Sequence, residues 1–217
     1  MTRITFRLNA LAAALALAAT GLVAPPAQAA DTPAYAITGS DIYIGDRPVS
    51  VGFIFTAEQN VALTALGFHD NQLDGLNQAH DVALYSITGT VLATATVAAG
   101  TSAPLIGEYR YATLGSSFML QSGTQYVLAA HTDSTDGYRY ATVPPATLNV
   151  SPLITIGAQA GVYNYGPSLA FPQFHAGYDI YATPNLLLTG PVPEPGTWAL
   201  MFAGLAAVAG LARRRRA

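Results

Sequence analysis

The residues best spaced for ion chemistry are Asp70-Asn71-Gln72-Leu73-Asp74-Gly75, with Asp81 further along. Counted from Asp70, Gln72 falls at position three of a calcium loop, Asp74 at five, Gly75 at six and Asp81 at twelve. Those positions offer oxygen to a hard cation, and the glycine permits the sharp turn between them. Gln at three and Asp at twelve depart from the usual Asp or Asn and bidentate Glu, and the flanks read as strands. The other reading is a turn whose Asp and Asn side chains bond the backbone. Calcium is therefore a cofactor this loop suggests, and none is required. His69 and His80 flank the loop and, with Asp70 and Asp81, offer zinc ligands or an acid/base pair; the alternative is a pair of turn histidines.

Other chemistry has less support. There is no Gly-x-Ser-x-Gly, no Gly-rich phosphate loop and no dinucleotide fingerprint, and the lack of cysteine excludes thiol chemistry. Glu108, Asp133 and Asp136 are available for glycoside hydrolysis, whose carboxylate pair is defined in space and not in sequence. The expectation is a protein that is not an enzyme. The second half of the chain is instead rich in rings: Tyr138, Tyr140, Tyr163, Tyr165 and Tyr178, beside Phe171, Phe174 and Tyr181. Aromatic faces stack on the apolar faces of pyranoses, so a carbohydrate surface is one reading. The other is that Tyr and Phe fill strands, which they favour.

The elements that must position these residues are strands. Val49, Val51, Phe53 and Phe55 alternate with Ser50, Gly52 and Ile54, the period of a half-buried strand. Residues 61–68 form a second extended run, and 82–87, the turn Thr88-Gly89-Thr90 and 91–97 read as a hairpin. Further strands are expected at 109–114, 117–120, 125–131, 138–143, 177–182 and 186–189. Pro144-Pro145 and Pro152 interrupt the pattern, so residues 144–176 are expected to be a long loop with short strands. The fold class is all-β: a single β-sandwich of jelly-roll type over 30–190.

Charge narrows the partners. The span 30–190 holds three arginines and eleven of the twelve acidic residues, with no lysine, which leaves it at −8. Such a surface repels phosphate backbones, so nucleic acid is excluded as a partner. The remaining six arginines are terminal. Arg3 and Arg7, the apolar run 8–19 and Ala27-Gln28-Ala29 compose a secretory signal peptide over 1–29, handled by the general secretion machinery and signal peptidase.

At the other end, residues 191–217 contain Pro193-Glu194-Pro195, an uncharged helix at about 196–212 and Arg213 to Arg216. Seventeen residues at a rise of ~1.5 Å reach about 25 Å, a short span for a ~30 Å hydrocarbon core. The arginine cluster makes that terminus cytoplasmic, and Trp198 sits where an interfacial aromatic belongs. This arrangement resembles the PEP-CTERM sorting signal. The resemblance implies a Gram-negative source and an exosortase that recognises Pro193, Glu194 and Pro195. It implies a domain held outside the inner membrane before processing, and a later place at the cell surface or in the extracellular matrix.

The domain has a resemblance of its own. Ala65-Leu66-Gly67-Phe68-His69-Asp70, Asp74-Gly75-Leu76, His80-Asp81-Val82-Ala83-Leu84-Tyr85, Gly89-Thr90-Val91-Leu92-Ala93 and the stretch from Leu120 to Leu128 follow in order. Together they are similar to an uncharacterised exported β-sandwich domain found in front of PEP-CTERM tails and beside carbohydrate-active modules. No catalytic residues follow from that resemblance. The expected function is a structural or adhesive surface or matrix protein. The alternatives are a carbohydrate-binding module for exopolysaccharide and a hydrolase acting on polysaccharide.

Overall fold

The computed structural model describes residues 30–43, 47–133, 135–142, 146–177, 179–190 and 204–205. Residues 30–190 form one compact body. Its strands are β1 (Thr32–Pro33), β2 (Tyr35–Thr38), β3 (Asp41–Tyr43), β4 (Val49–Ala57), β5 (Val61–His69), β6 (His80–Ser86), β7 (Val91–Val97) and β8 (Leu105–Ile106). They continue as β9 (Tyr109–Leu120), β10 (Gln125–Thr132), β11 (Tyr138–Ala141), β12 (Thr147–Val150), β13 (Ile154–Tyr165), β14 (Phe174–His175), β15 (Ile180–Tyr181) and β16 (Pro184–Thr189). No helix occurs among the described residues of this body. The all-β sandwich expected from the strand pattern is what forms.

One sheet has the order β1-β16-β5-β9-β8 and the other β14-β13-β4-β10-β6-β7; smaller sheets β15-β11-β3 and β12-β2 complete the body. The alternation on β4 now has a cause. Phe53 and Phe55 face a core shared with Leu84 and Leu128 on one sheet and Leu63, Leu66, Leu186 and Leu188 on the other. Each such side chain, removed from water, contributes roughly 1.5–3 kcal/mol of transfer free energy. Two glycines are required by close approach. A Cβ on Gly52 would lie 1.8 Å from the carbonyl oxygen of Leu128, where β4 crosses β10. A Cβ on Gly67 would lie 2.5 Å from the ring of Tyr111, its cross-strand partner.

The stretch 144–176 departs from expectation. It contains β13, a twelve-residue strand paired along β4, as well as β12 and β14. The pairing jumps between Ile156 and Gly161, so Gly157 to Ala160 bulge out, with Gln159 at φ 54. A bulge shifts the side-chain alternation by which a strand is read, and that concealed this one. The two runs expected at 109–114 and 117–120 are likewise one strand, β9, whose register with β5 shifts between Leu63 and Ala65.

Candidate functional site

At the end of β5 the chain delivers Asp70 into a buried ion pair. Arg110 donates from Nε to Asp70 Oδ2 at 2.6 Å, and the backbone N–H of Gly75 donates to the same oxygen at 3.1 Å. The remaining guanidinium contacts go to the carbonyl oxygens of Thr101 and Ala103. Asp70 thus organises the turn that follows it. Gln72 and Asp74 lie exposed on that turn. Asp81 stands on β6, where Thr96 Oγ1 donates to it at 2.6 Å. Asp70, Gln72, Asp74 and Asp81 are not gathered into one coordination sphere. Among the described residues no group of three or more His, Asp or Glu side chains is placed to hold a metal.

The two histidines part company as well. His80, on β6, has Nδ1 at 3.0 Å from the carbonyl oxygen of His131 and Nε2 at 2.7 Å from Asp136 Oδ2. Asp136 also accepts from the backbone N–H groups of Asn77 and Gln78 and from the Asn77 amide. Burial raises its carboxyl pKa, but the bonds from Asn77 and His80 outweigh that and hold it below its ordinary value. Asp133 is held low by the hydrogen bonds of Thr135, against the same opposing effect of burial.

His69 belongs to a different group, centred on Arg139 of β11. That buried guanidinium donates to the Ile37 carbonyl, Ser40 Oγ and Glu108, and its Nη1 lies 3.0 Å from His69 Nε2. A guanidinium only donates, so Nε2 accepts and His69 is neutral with its proton on Nδ1. Burial, and then the charge of Arg139, lower the His69 pKa to about 4. Burial likewise pushes Tyr109, beside it, up to about 12. Glu108, Asp133 and Asp136 are each bonded to neighbours of their own. The lone Arg139 between Tyr138 and Tyr140 was the missed residue. Its place on the opposite face of a strand was the available signal.

The rings do converge. Register sets Tyr43 opposite Tyr138 and Tyr140 opposite Tyr181, so these four share one face of the three-stranded sheet. On β13, Tyr163 and Tyr165 lie opposite Val51 and Val49 of β4. The two sets meet: Tyr138 and Tyr163 approach Tyr181 at 5.4 and 6.3 Å between centroids. Phe174 joins Tyr163 at 5.6 Å. Val49 and Val51 floor the cluster. Most contacts are edge-on or tilted, so the inner rings pack as a small core. The rim does not: Tyr43, Phe174 and Tyr165 are 47%, 51% and 54% exposed. The Arg47 guanidinium lies 5.2 Å from the Tyr165 ring centroid. Of the five tyrosines expected to serve a sugar surface, Tyr138, Tyr140, Tyr163 and Tyr165 stand together; Tyr178 lies outside the described residues.

Residues 38–181 match a family described as Domain of unknown function (DUF4082). Residues 191–216 match the PEP-CTERM protein-sorting motif. The motif Pro193, Glu194 and Pro195, the signal segment 1–29 and nearly all of the helix expected at 196–212 lie outside the described residues. No curated protein matches the chain.

Proposed function

We propose that this chain, which belongs to the DUF4082 family and carries a PEP-CTERM sorting tail, is a non-enzymatic adhesive protein of an extracellular polysaccharide matrix. The tail marks it for exosortase-dependent sorting to the extracellular side in Gram-negative bacteria. The finer route belongs to the proposal: signal peptidase removes 1–29, the segment 196–212 holds the body outside the inner membrane, and exosortase then cuts near Pro193-Glu194-Pro195. Intact mass of the surface-released protein tests this. The expected species lacks Arg213 to Arg216; one that retains them overturns it.

The observation that carries the adhesive reading is the half-exposed rim of Tyr43, Tyr165 and Phe174 on a rigid aromatic floor. A sugar needs apolar faces held in place before it arrives, because ordering them on binding would cost affinity. The acids available for hydrolysis are already engaged in bonds that hold loops and strands, which supports binding without turnover. Retention of the full chain on immobilised neutral polysaccharide tests the reading. The pair Tyr43→Ala and Tyr165→Ala is expected to weaken retention about tenfold, the equivalent of ~1.4 kcal/mol. Retention equal to that of the parent chain would overturn it, as would release of reducing ends for the non-enzymatic part.

A further inference from the structure

The outward face of the six-stranded sheet is not plain surface. Register places Tyr85, Val127 and Ile54 in one row across β6, β10 and β4, and Ala83, Ala129, Gly52 and Val162 in the next. The chain covers part of this face itself. Between β13 and β14 a loop lays Leu169 and Phe171 against Ala83, Tyr85, Ala129 and Val162. The loop is tied down at two points: Ala170 N–H donates to Ser50 Oγ at 3.0 Å, and Asn164 Nδ2 donates to the Phe171 carbonyl at 3.2 Å. Phe171 is further fixed edge-on to Tyr85 at 5.5 Å.

Beside this strap the face stays open as two cavities, of about 590 and 300 Å³, that share Ile54 and His175. The larger has an apolar floor of Ile54, Val127 and Val162, with Phe171 and Pro172 as one wall and Ile87 as the other. The smaller runs on beneath the β13 bulge, past Thr56, Thr155 and Gln159. Hydrogen-bonding side chains edge both, among them Thr88, Gln125, Gln173 and His175. Among the described residues no Asp, Glu, Lys or Arg lines either cavity, on a body with a net charge of −8.

We propose that these joined cavities are a second binding groove, for a neutral linear oligosaccharide. The chemistry of the lining selects that ligand. A charged chain would have no counter-ion in the groove, and a wholly apolar one would strand the amides and hydroxyls along its edges. A neutral sugar offers an apolar ring face to the floor and hydroxyls to the Thr and Gln side chains. Two adjoining cavities that share Ile54 and His175 fit consecutive units of a chain better than a single compact molecule. The inference rests on the reading that this protein holds neutral polysaccharide, and adds a site on the face of β13 opposite the tyrosine rim, Val162 facing the groove and Tyr163 the rim cluster. Two sites on one body let a single molecule bridge two strands of matrix.

Calorimetric titration of the full chain with neutral linear hexamers of glucose, mannose, galactose or xylose tests the groove, with oligogalacturonate as the charged probe. Thr155→Glu and Gln173→Ala change exposed lining side chains, and each is expected to weaken binding of the preferred neutral hexamer about tenfold with an unchanged melting temperature. The charged probe is expected not to bind. Equal affinity in both groove variants, with loss in the Tyr165→Ala variant, overturns the groove and leaves the rim. Loss in the groove variants alone upholds the groove and removes the rim. Binding of no neutral hexamer, or preference for oligogalacturonate, overturns the groove.

Discussion

The imidazole of His80 lies flat on the ring of Phe68, 3.7 Å between centroids and 6° from parallel. Both of its nitrogens face acceptors, the His131 carbonyl and the Asp136 carboxylate. A carbonyl oxygen only accepts, so Nδ1 carries a proton and donates to it, while Nε2 meets the carboxylate beneath the loop that precedes β6. Asp136 fastens that loop at the same time, through Asn77 and Gln78.

Asp136→Asn is therefore expected to destabilise the body by about 2–3 kcal/mol, the range for a lost hydrogen bond to a charged group with its partner left buried. Urea unfolding checks this. Hydrogen exchange should show faster opening at Asn77 and Gln78 than in the core of β10.

Stability should fall with pH in a window set by His69. Its folded pKa is about 4 against an ordinary value near 6.5. The unfolded chain therefore binds the proton more readily between those values, and stability is lost as pH falls from about 6.5 toward 4. The shift corresponds to roughly 3 kcal/mol across the window. His131, lowered by burial and then by His80, contributes in the same direction. In His69→Gln the slope of stability against pH should flatten partly, and an unchanged slope would refute the assignment.

Gly52→Ala should not fold stably. The new Cβ meets the backbone of β10 and not a movable side chain, so relief requires separating two central strands. Gly115→Ala is the matching control, because among the described residues nothing beyond its chain neighbours lies within 4 Å of its Cβ position. Thermal melts should show the first variant unfolded at 25 °C and the second within about 0.5 kcal/mol of the parent.

Tyr111 carries a buried hydroxyl with no partner among the described residues. Burial pushes its pKa up. Tyr111→Phe keeps the ring that covers Gly67 and removes a polar atom that gains nothing from its surroundings. The expected result is a melting temperature equal to or above that of the parent; a loss of more than about 1 kcal/mol would show that the hydroxyl has a partner.

Asp70 is spoken for by Arg110, and a calcium ion there would have to displace a buried guanidinium. Millimolar calcium is expected to leave the melting temperature where it is. Arg110→Met, which strands the Asp70 carboxylate, should cost about 3–5 kcal/mol.

Much of this protein was legible because its information is local. Alternation on β4 and the turn Thr88-Gly89-Thr90 announce strands and a hairpin, since a pleated strand puts successive side chains on opposite faces. The tail was legible for a similar reason: a short motif, an uncharged run and an arginine cluster are contiguous, and sorting reads them as a linear address. The twelve residues of β13 were not legible, because a four-residue bulge resets the alternation in mid-strand.

Sites depend on partners far apart in the chain. By spacing, Asp70 looked like the first ligand of a cation loop; what it meets is Arg110, forty residues on, brought across by the pairing of β5 with β9. The tyrosines were countable in the sequence, yet only the stacking of the three-stranded sheet on β4 and β13 buries Tyr181 and leaves Tyr43 and Tyr165 at the rim. Composition by itself determined an acidic, cysteine-free body of strands and the address it carries. Tertiary structure decided which charges are spent on one another and which rings and amides still face water, because burial is a property of what packs over a residue and not of the residue itself.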